Sequence, residues 1–171
     1  TWHRARPVAC VELPREDLSL REMGALRRRL EDYKGDPRST LVLSGREASF
    51  LVREQFDLPA WLAIDGTEVR LEAQVPHGES DPEHVEAGAC WAVRFRGRVE
   101  VDRGRAFVVP DGMSLGDLDL TWIVGGRKLE LPRSVLSAPG PAAAELADHL
   151  VSMQIADGTM FVRLDDPTFI R

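Results

Sequence analysis

Two histidines, His77 and His84, stand in a run that also carries Glu79, Asp81, Glu83 and Glu86. Imidazole and carboxylate are the donors that hold zinc or calcium. Their spacing matches no established ligand frame, and Pro, Gly and Ser interrupt the donors. The run from 76 to 88 therefore reads as a solvated acidic loop. Asp117 and Asp119 lie two residues apart, which on a strand puts both carboxylates on one face. That arrangement could serve acid–base catalysis. It is also the ordinary wet side of a strand whose other side carries Leu118 and Leu120, and we read it so. The serines lack the Gly-x-Ser-x-Gly setting of a nucleophile elbow, and neither a phosphate-binding loop nor a dinucleotide fingerprint is present. Cys10 and Cys90 fit no zinc pattern. They either bridge the N-terminal segment to the strands, in an oxidising compartment, or are two buried free thiols. Trp61, Trp91 and Trp122 fall in strand-like runs and read as packing residues rather than a ligand cage. No catalytic residue, metal or cofactor is expected from these patterns.

The elements that would position such residues are clearer. From Cys90 to Val101, the residues Trp91, Val93, Phe95, Val99 and Val101 share one parity, and Arg94, Arg96, Arg98 and Glu100 the other. A period of two is that of a strand with one dry and one wet face. Val69, Leu71, Ala73 and Val75 alternate in the same way against Glu68, Arg70, Glu72 and Gln74. Further strands are expected at 40–43, 60–64, 106–109, 118–124, 128–131, 151–155 and 159–164. The Asp65-Gly66 and Asp157-Gly158 pairs between apolar runs mark hairpins, and Pro110-Asp111-Gly112 reads as a turn. Residues 1–15 read as an extended lead-in with at most one short strand.

Ser19 with Glu22, and Ser44 with Glu47, are capping-box pairs. Each precedes an amphipathic run. Leu20, Met23, Leu26, Leu30 and Tyr33 recur at helical spacing; Ala48, Leu51, Val52 and Gln55 form one face of a second helix, extended by Phe50 and Phe56. A third helix is expected from Ala142 to about His149, after Pro139-Gly140-Pro141. The triplet Arg27-Arg28-Arg29 reads as solvated helix surface paired with Glu31 and Asp32.

The 171 residues suit one domain with a single core. With 43% apolar and 29% charged residues the chain is of the folded, globular class. A net charge of −6 speaks against sequence-independent binding to nucleic acid or to an anionic surface. Lysine occurs only at Lys34 and Lys128 and asparagine nowhere, a skew expected of high-GC bacterial coding. No apolar run approaches the roughly 20 residues of a spanning helix.

Three stretches together are similar to the extracytoplasmic domains of uncharacterised bacterial membrane-anchored proteins, some of them TULIP-like and lipid-binding. They are Leu41-Val42-Leu43-Ser44-Gly45-Arg46-Glu47, Leu129-Glu130-Leu131-Pro132 and Ile155-Ala156-Asp157-Gly158-Thr159-Met160-Phe161-Val162. In such families an acidic residue followed by Leu or Asn often marks the strand-to-helix step; Glu47-Ala48-Ser49 departs from that. The resemblance covers residues 39–164. It implies a curved sheet cradling helices, an anchor upstream of Thr1 and an apolar ligand or partner protein, and it implies no catalytic residues.

The expected fold is α+β: a curved antiparallel sheet, largely a meander, with two to three helices on one face. The expected function is that of a non-enzymatic, periplasmic or cell-surface module, anchored by an N-terminal segment outside this chain. It would hold lipid or another apolar ligand, lined by Phe50, Leu51, Val69, Leu71, Trp91, Val93 and Phe95. The alternative is a structural accessory subunit that docks on a larger membrane-associated protein complex. A hydrolase or metal enzyme would have to be built on His77, His84, Asp117 or Asp119.

Overall fold

In the computed structural model the described residues are 5–36, 38–56, 59–76, 88–137 and 141–170. The acidic loop with His77 and His84 lies outside them. The fold is α+β, with an antiparallel sheet curved nearly into a barrel.

One strand organises it. β5 (Ala89–Asp102) pairs with β4 (Glu68–Pro76) on one side and with β6 (Arg105–Leu115) on the other; its far end reaches β9 (Leu150–Ala156) through Val101 opposite Met153. β4 continues to β3 (Ala60–Asp65), and β9 to β10 (Thr159–Leu164) and β2 (Leu41–Ser44). Short strands complete the edges: β1 (Val8–Ala9) on β5, and β7 (Leu118–Asp119) and β8 (Leu129–Leu131) on β6. The Asp-Gly hairpins form as expected. Their tips meet, with Gly158 N donating to Gly66 O at 2.9 Å. This contact ties the two ends of the curved sheet together.

Alternation explains which side of the sheet is dry. On β5, Val101 is buried and Phe95 and Val99 half-buried, while Arg94, Arg96, Arg98 and Glu100 face solvent. The pattern changes at the start of the strand, where Cys90 and Ala92, of the opposite parity, are fully buried. There the second face is covered as well. Cys10 and Cys90 form a disulfide, Cys10 N donates to Gly88 O, and Val11 N donates to Oε1 of the buried Gln74 at 3.1 Å. Of the two readings open for the cysteines, the bridge is the one found.

The dry face is filled by α1 (Leu20–Gly35). Ser19 and Glu22 make the reciprocal capping bonds that their spacing foretells. Leu26, Leu30 and Tyr33 then pack with Leu41, Leu43, Leu62, Val69, Val162 and Leu164. Each such buried side chain contributes about 1.5–3 kcal/mol. The Tyr33 hydroxyl accepts a hydrogen bond from Leu164 N at 2.8 Å, which satisfies a buried backbone donor. α2 (Gly45–Phe56) starts with the second capping pair, Ser44 and Glu47, and Ser49 Oγ accepts from Leu62 N, tying it to β3. Arg29 departs from expectation: it pairs with Glu47 on α2 and donates to Val42 O, while Glu31 pairs with Lys34.

Three local expectations are corrected. Pro110-Asp111-Gly112 is no turn but lies inside β6, where the register against β5 shifts between Arg96 and Gly97. A bulge tolerates the missing N–H of a proline. The expected strand 118–124 stops at Asp119, and Thr121–Val124 form one helical turn, α3, that carries Trp122. Strand propensity loses there because Asp119 Oδ1 accepts from Thr121 N and Thr121 Oγ1 accepts from Met113 N. A further short helix, α4 (Arg133–Ser137), precedes the expected third one, α5 (Pro141–His149).

Candidate functional site

The amphipathic face of α2 does not rest wholly on α1. Ala48, Leu51 and Val52 turn towards the strands at the other side of the sheet. β2 presents Leu41 and Leu43, its inward residues, and β10 presents Met160, Val162 and Leu164, which alternate with outward Phe161 and Arg163. Leu150 and Met153 of β9 and Leu146 of α5 complete the walls. Between them lies a cavity of about 140 Å³ whose every lining residue is apolar. It is close in size to the ~150 Å³ apolar cavity known to stay dry and to accept benzene. Two of its walls are methionines, whose unbranched, polarisable side chains adapt to differently shaped occupants.

The segment after β10 closes one side. Phe169 and Ile170 line the cavity, and the segment carrying them is tied to the end of α5. Asp165 N donates to His149 O at 3.0 Å; His149 Nδ1 and Asp165 Oδ1 are 2.7 Å apart; the His149 and Phe169 rings stack with centroids 5.4 Å apart. Asp166 Oδ1 accepts from both the N–H and the hydroxyl of Thr168, which folds the segment into a tight turn. The hydrogen bond to Asp165 raises the pKa of His149 above its ordinary value, helped by the charges of Asp165, Asp166 and Glu145. The Thr168 bonds hold the Asp166 carboxyl below the usual range.

The raised pKa sets a direction. Protonated His149 holds Asp165 best, so the strap is most firmly held below the unfolded value of about 6.5 and loosens as pH rises through the higher folded value. Protection of the Phe169 and Ile170 amides, after correction for the intrinsic rise of exchange with pH, should therefore fall above neutrality. His149→Gln should give low protection at all pH values and flatten that profile. A profile unchanged in that variant would show that the ring stack and the turn hold the strap alone.

No family model, curated protein or solved structure matches the chain. The site therefore rests on its own geometry.

Of the seven residues read from sequence as a lining, the structure brings Leu51 to this cavity. Val69 is buried in the core that α1 fills, and Phe50, Leu71 and Phe95 pack against that core. Trp91 and Val93 lie at the opposite end of β5, paired with Val75 and Ala73 of β4. The residues missed are Ala48 and Val52 of α2, those of β2, β9, β10 and α5, and the strap. The alternation Met160, Val162, Leu164 was a usable signal for β10; nothing local marks Phe169 or Ile170. Asp117 and Asp119 do not converge on a cleft as a pair. Asp117 Oδ1 accepts from Arg6 N and Asp119 Oδ1 from Thr121 N, and the hydrogen bonds from Thr121, side chain first and then backbone, hold Asp119 below the ordinary carboxylate range.

Proposed function

We propose that this chain is a non-enzymatic, extracytoplasmic module that holds a small apolar group, such as the end of a lipid acyl chain. The observation that carries the reading is the cavity of about 140 Å³ with no polar residue in its walls. Such walls offer water no hydrogen-bond partner, so an apolar occupant displaces only weakly held water and recovers contacts the walls otherwise lack. Its size limits it to part of a lipid, with the rest of the molecule outside. The Cys10–Cys90 bridge supports the compartment, since structural disulfides persist in oxidising surroundings. A docked apolar side chain of a membrane-complex subunit would fit the same space. That is the accessory-subunit reading, and a large buried interface with a different chain would favour it.

A titration with a fluorescent fatty-acid analogue tests the proposal. At a free concentration about 100 times Kd, the analogue should stabilise the fold by about 2.7 kcal/mol, a rise in Tm of roughly 5–10 °C for a domain of this size. Leu51→Trp fills the cavity from the half-buried face of α2 and should weaken binding by about tenfold or more, without loss of fold. The reading is wrong if the delipidated protein gains no thermal stability from the analogue or from any lipid extract.

A further inference from the structure

The turn α3 places Trp122 and Ile123 in solvent, 80% and 44% exposed. These are the residue types that a folded chain exposes least willingly when they are clustered. The exposure is not that of a loose loop. The excursion is pinned to β6 at both ends: Leu120 N donates to Met113 O at 2.8 Å, Met113 N to Thr121 Oγ1 at 3.0 Å, and Gly126 N to Pro110 O at 2.7 Å. A rigidly presented tryptophan loses little conformational freedom on insertion into another phase.

Charge surrounds the tip in a particular way. On one flank, Arg96 lines a groove with Met113 and Thr121; on the other, Arg98 lines a groove with Gly126 and Lys128. Arg127 follows the turn directly and is exposed. Of the neighbouring acids, Glu72 is paired with Arg94 and Glu100 with Lys128; Asp119 accepts from Thr121 N and keeps its negative charge. Among the described residues Arg96, Arg98 and Arg127 have no carboxylate partner, and Asp111 is the acid nearest in sequence to the pinned segment left unengaged. A chain of net charge −6 thus sets three guanidinium groups without a carboxylate partner round an apolar tip, with Asp111 and Asp119 as the acids beside them.

We propose that this tip docks on the surface of a phospholipid membrane, with Trp122 and Ile123 in the interfacial layer and the arginine collar on lipid phosphates. Tryptophan favours that layer because its ring is apolar and its N–H polar. Guanidinium matches phosphate oxygens in bidentate geometry. Area argues against a protein partner: a Trp and an Ile offer far less than the ~800 Å² that each side of a stable protein interface buries. The surface lies apart from the apolar cavity and does not depend on it.

Flotation of the full chain with vesicles of equal parts phosphatidylcholine and phosphatidylglycerol tests this. The chain should float, and its difference spectrum against Trp122→Ala should shift to the blue and be quenched by lipids brominated near the headgroup. Trp122→Ala should weaken partitioning by about tenfold or more, from the apolar area lost, with an unchanged melting curve because the side chain is solvent-exposed. Arg96→Gln with Arg98→Gln should weaken it further and reduce its sensitivity to salt. Leu51→Trp, which fills the cavity, should leave flotation intact, so failure of the cavity reading and failure of this one are separable. A chain that stays in the aqueous fraction, or a Trp122→Ala variant that floats like the parent, overturns the proposal. A dimer abolished by Trp122→Ala would assign the tip to a second copy and overturn it equally.

Discussion

With Cys10 and Cys90 both replaced by serine, the protein should lose about 4 kcal/mol of folding stability. The bridge spans 80 residues of sequence, and closing a loop of that length in the unfolded chain accounts for about 4–5 kcal/mol in the chain-entropy model. Tm should fall by roughly 10 °C or somewhat more, and parent protein melted in reductant should reproduce the variant. The loss has a local part too. Without the bridge, the lead-in is held by β1, by Cys10 N on Gly88 O, by Val11 N on Gln74, and by bonds between Arg6 and Asp117. Its amides should exchange faster than those of β9 and β10. A loss below about 1 kcal/mol would mean that these backbone bonds already order the segment in the reduced chain.

Gly97→Ala should cost at least about 3 kcal/mol, from overpacking against backbone added to conformational strain. A Cβ at this position would sit 2.3 Å from Val109 O and 2.9 Å from Pro110 Cα. Both are main-chain atoms and cannot swing aside. The backbone there has φ of 156°, at the register shift that bends β5 against β6. The bend carries Val101 to Met153, and Met153 is a wall of the cavity. Gly97→Ala should therefore lower both stability and affinity for the fatty-acid analogue, read by urea unfolding and by the same titration. Gly112→Ala is the control, because its Cβ would meet only the Arg96 side chain at 3.8 Å. It should change stability by less than about 1 kcal/mol. Equal effects of the two substitutions would remove the bulge from the account of curvature.

Much of the architecture was legible from residues close together in the chain. Ser19 with Glu22 and Ser44 with Glu47 announce two helix starts, and both sets of capping bonds form. Asp65-Gly66 and Asp157-Gly158 announce hairpins, and the strands on either side pair there. These signals work because a cap or a two-residue turn is decided within about four residues, whatever the rest of the fold does. The alternation along β4 and β5 likewise revealed which side chains share a face, since strand geometry alone imposes the period.

Tertiary structure decided what those faces meet. Phe50, Val69, Leu71 and Phe95 are apolar and inward, and they belong to or border the core that α1 fills without reaching the cavity; the cavity, at another side of the same core, is lined by Leu43, Met153, Met160 and Phe169 instead. A periodic pattern says that a residue is dry, not whether protein or empty space lies against it. Thr121–Val124 has the composition of a strand but becomes a helical turn because Met113, eight residues earlier, captures the Thr121 hydroxyl. The strap reaches the cavity because His149 holds Asp165 and Phe169. Pairing of the two cysteines depended on whether the lead-in lay over the start of β5. In short, caps, turns and alternation follow from chain geometry that each segment carries with it. The cavity arises where segments as far apart as Leu41 and Phe169 are packed together, and only close packing settles which gaps are filled; the tip at Trp122 arises where β6 captures the turn that follows it.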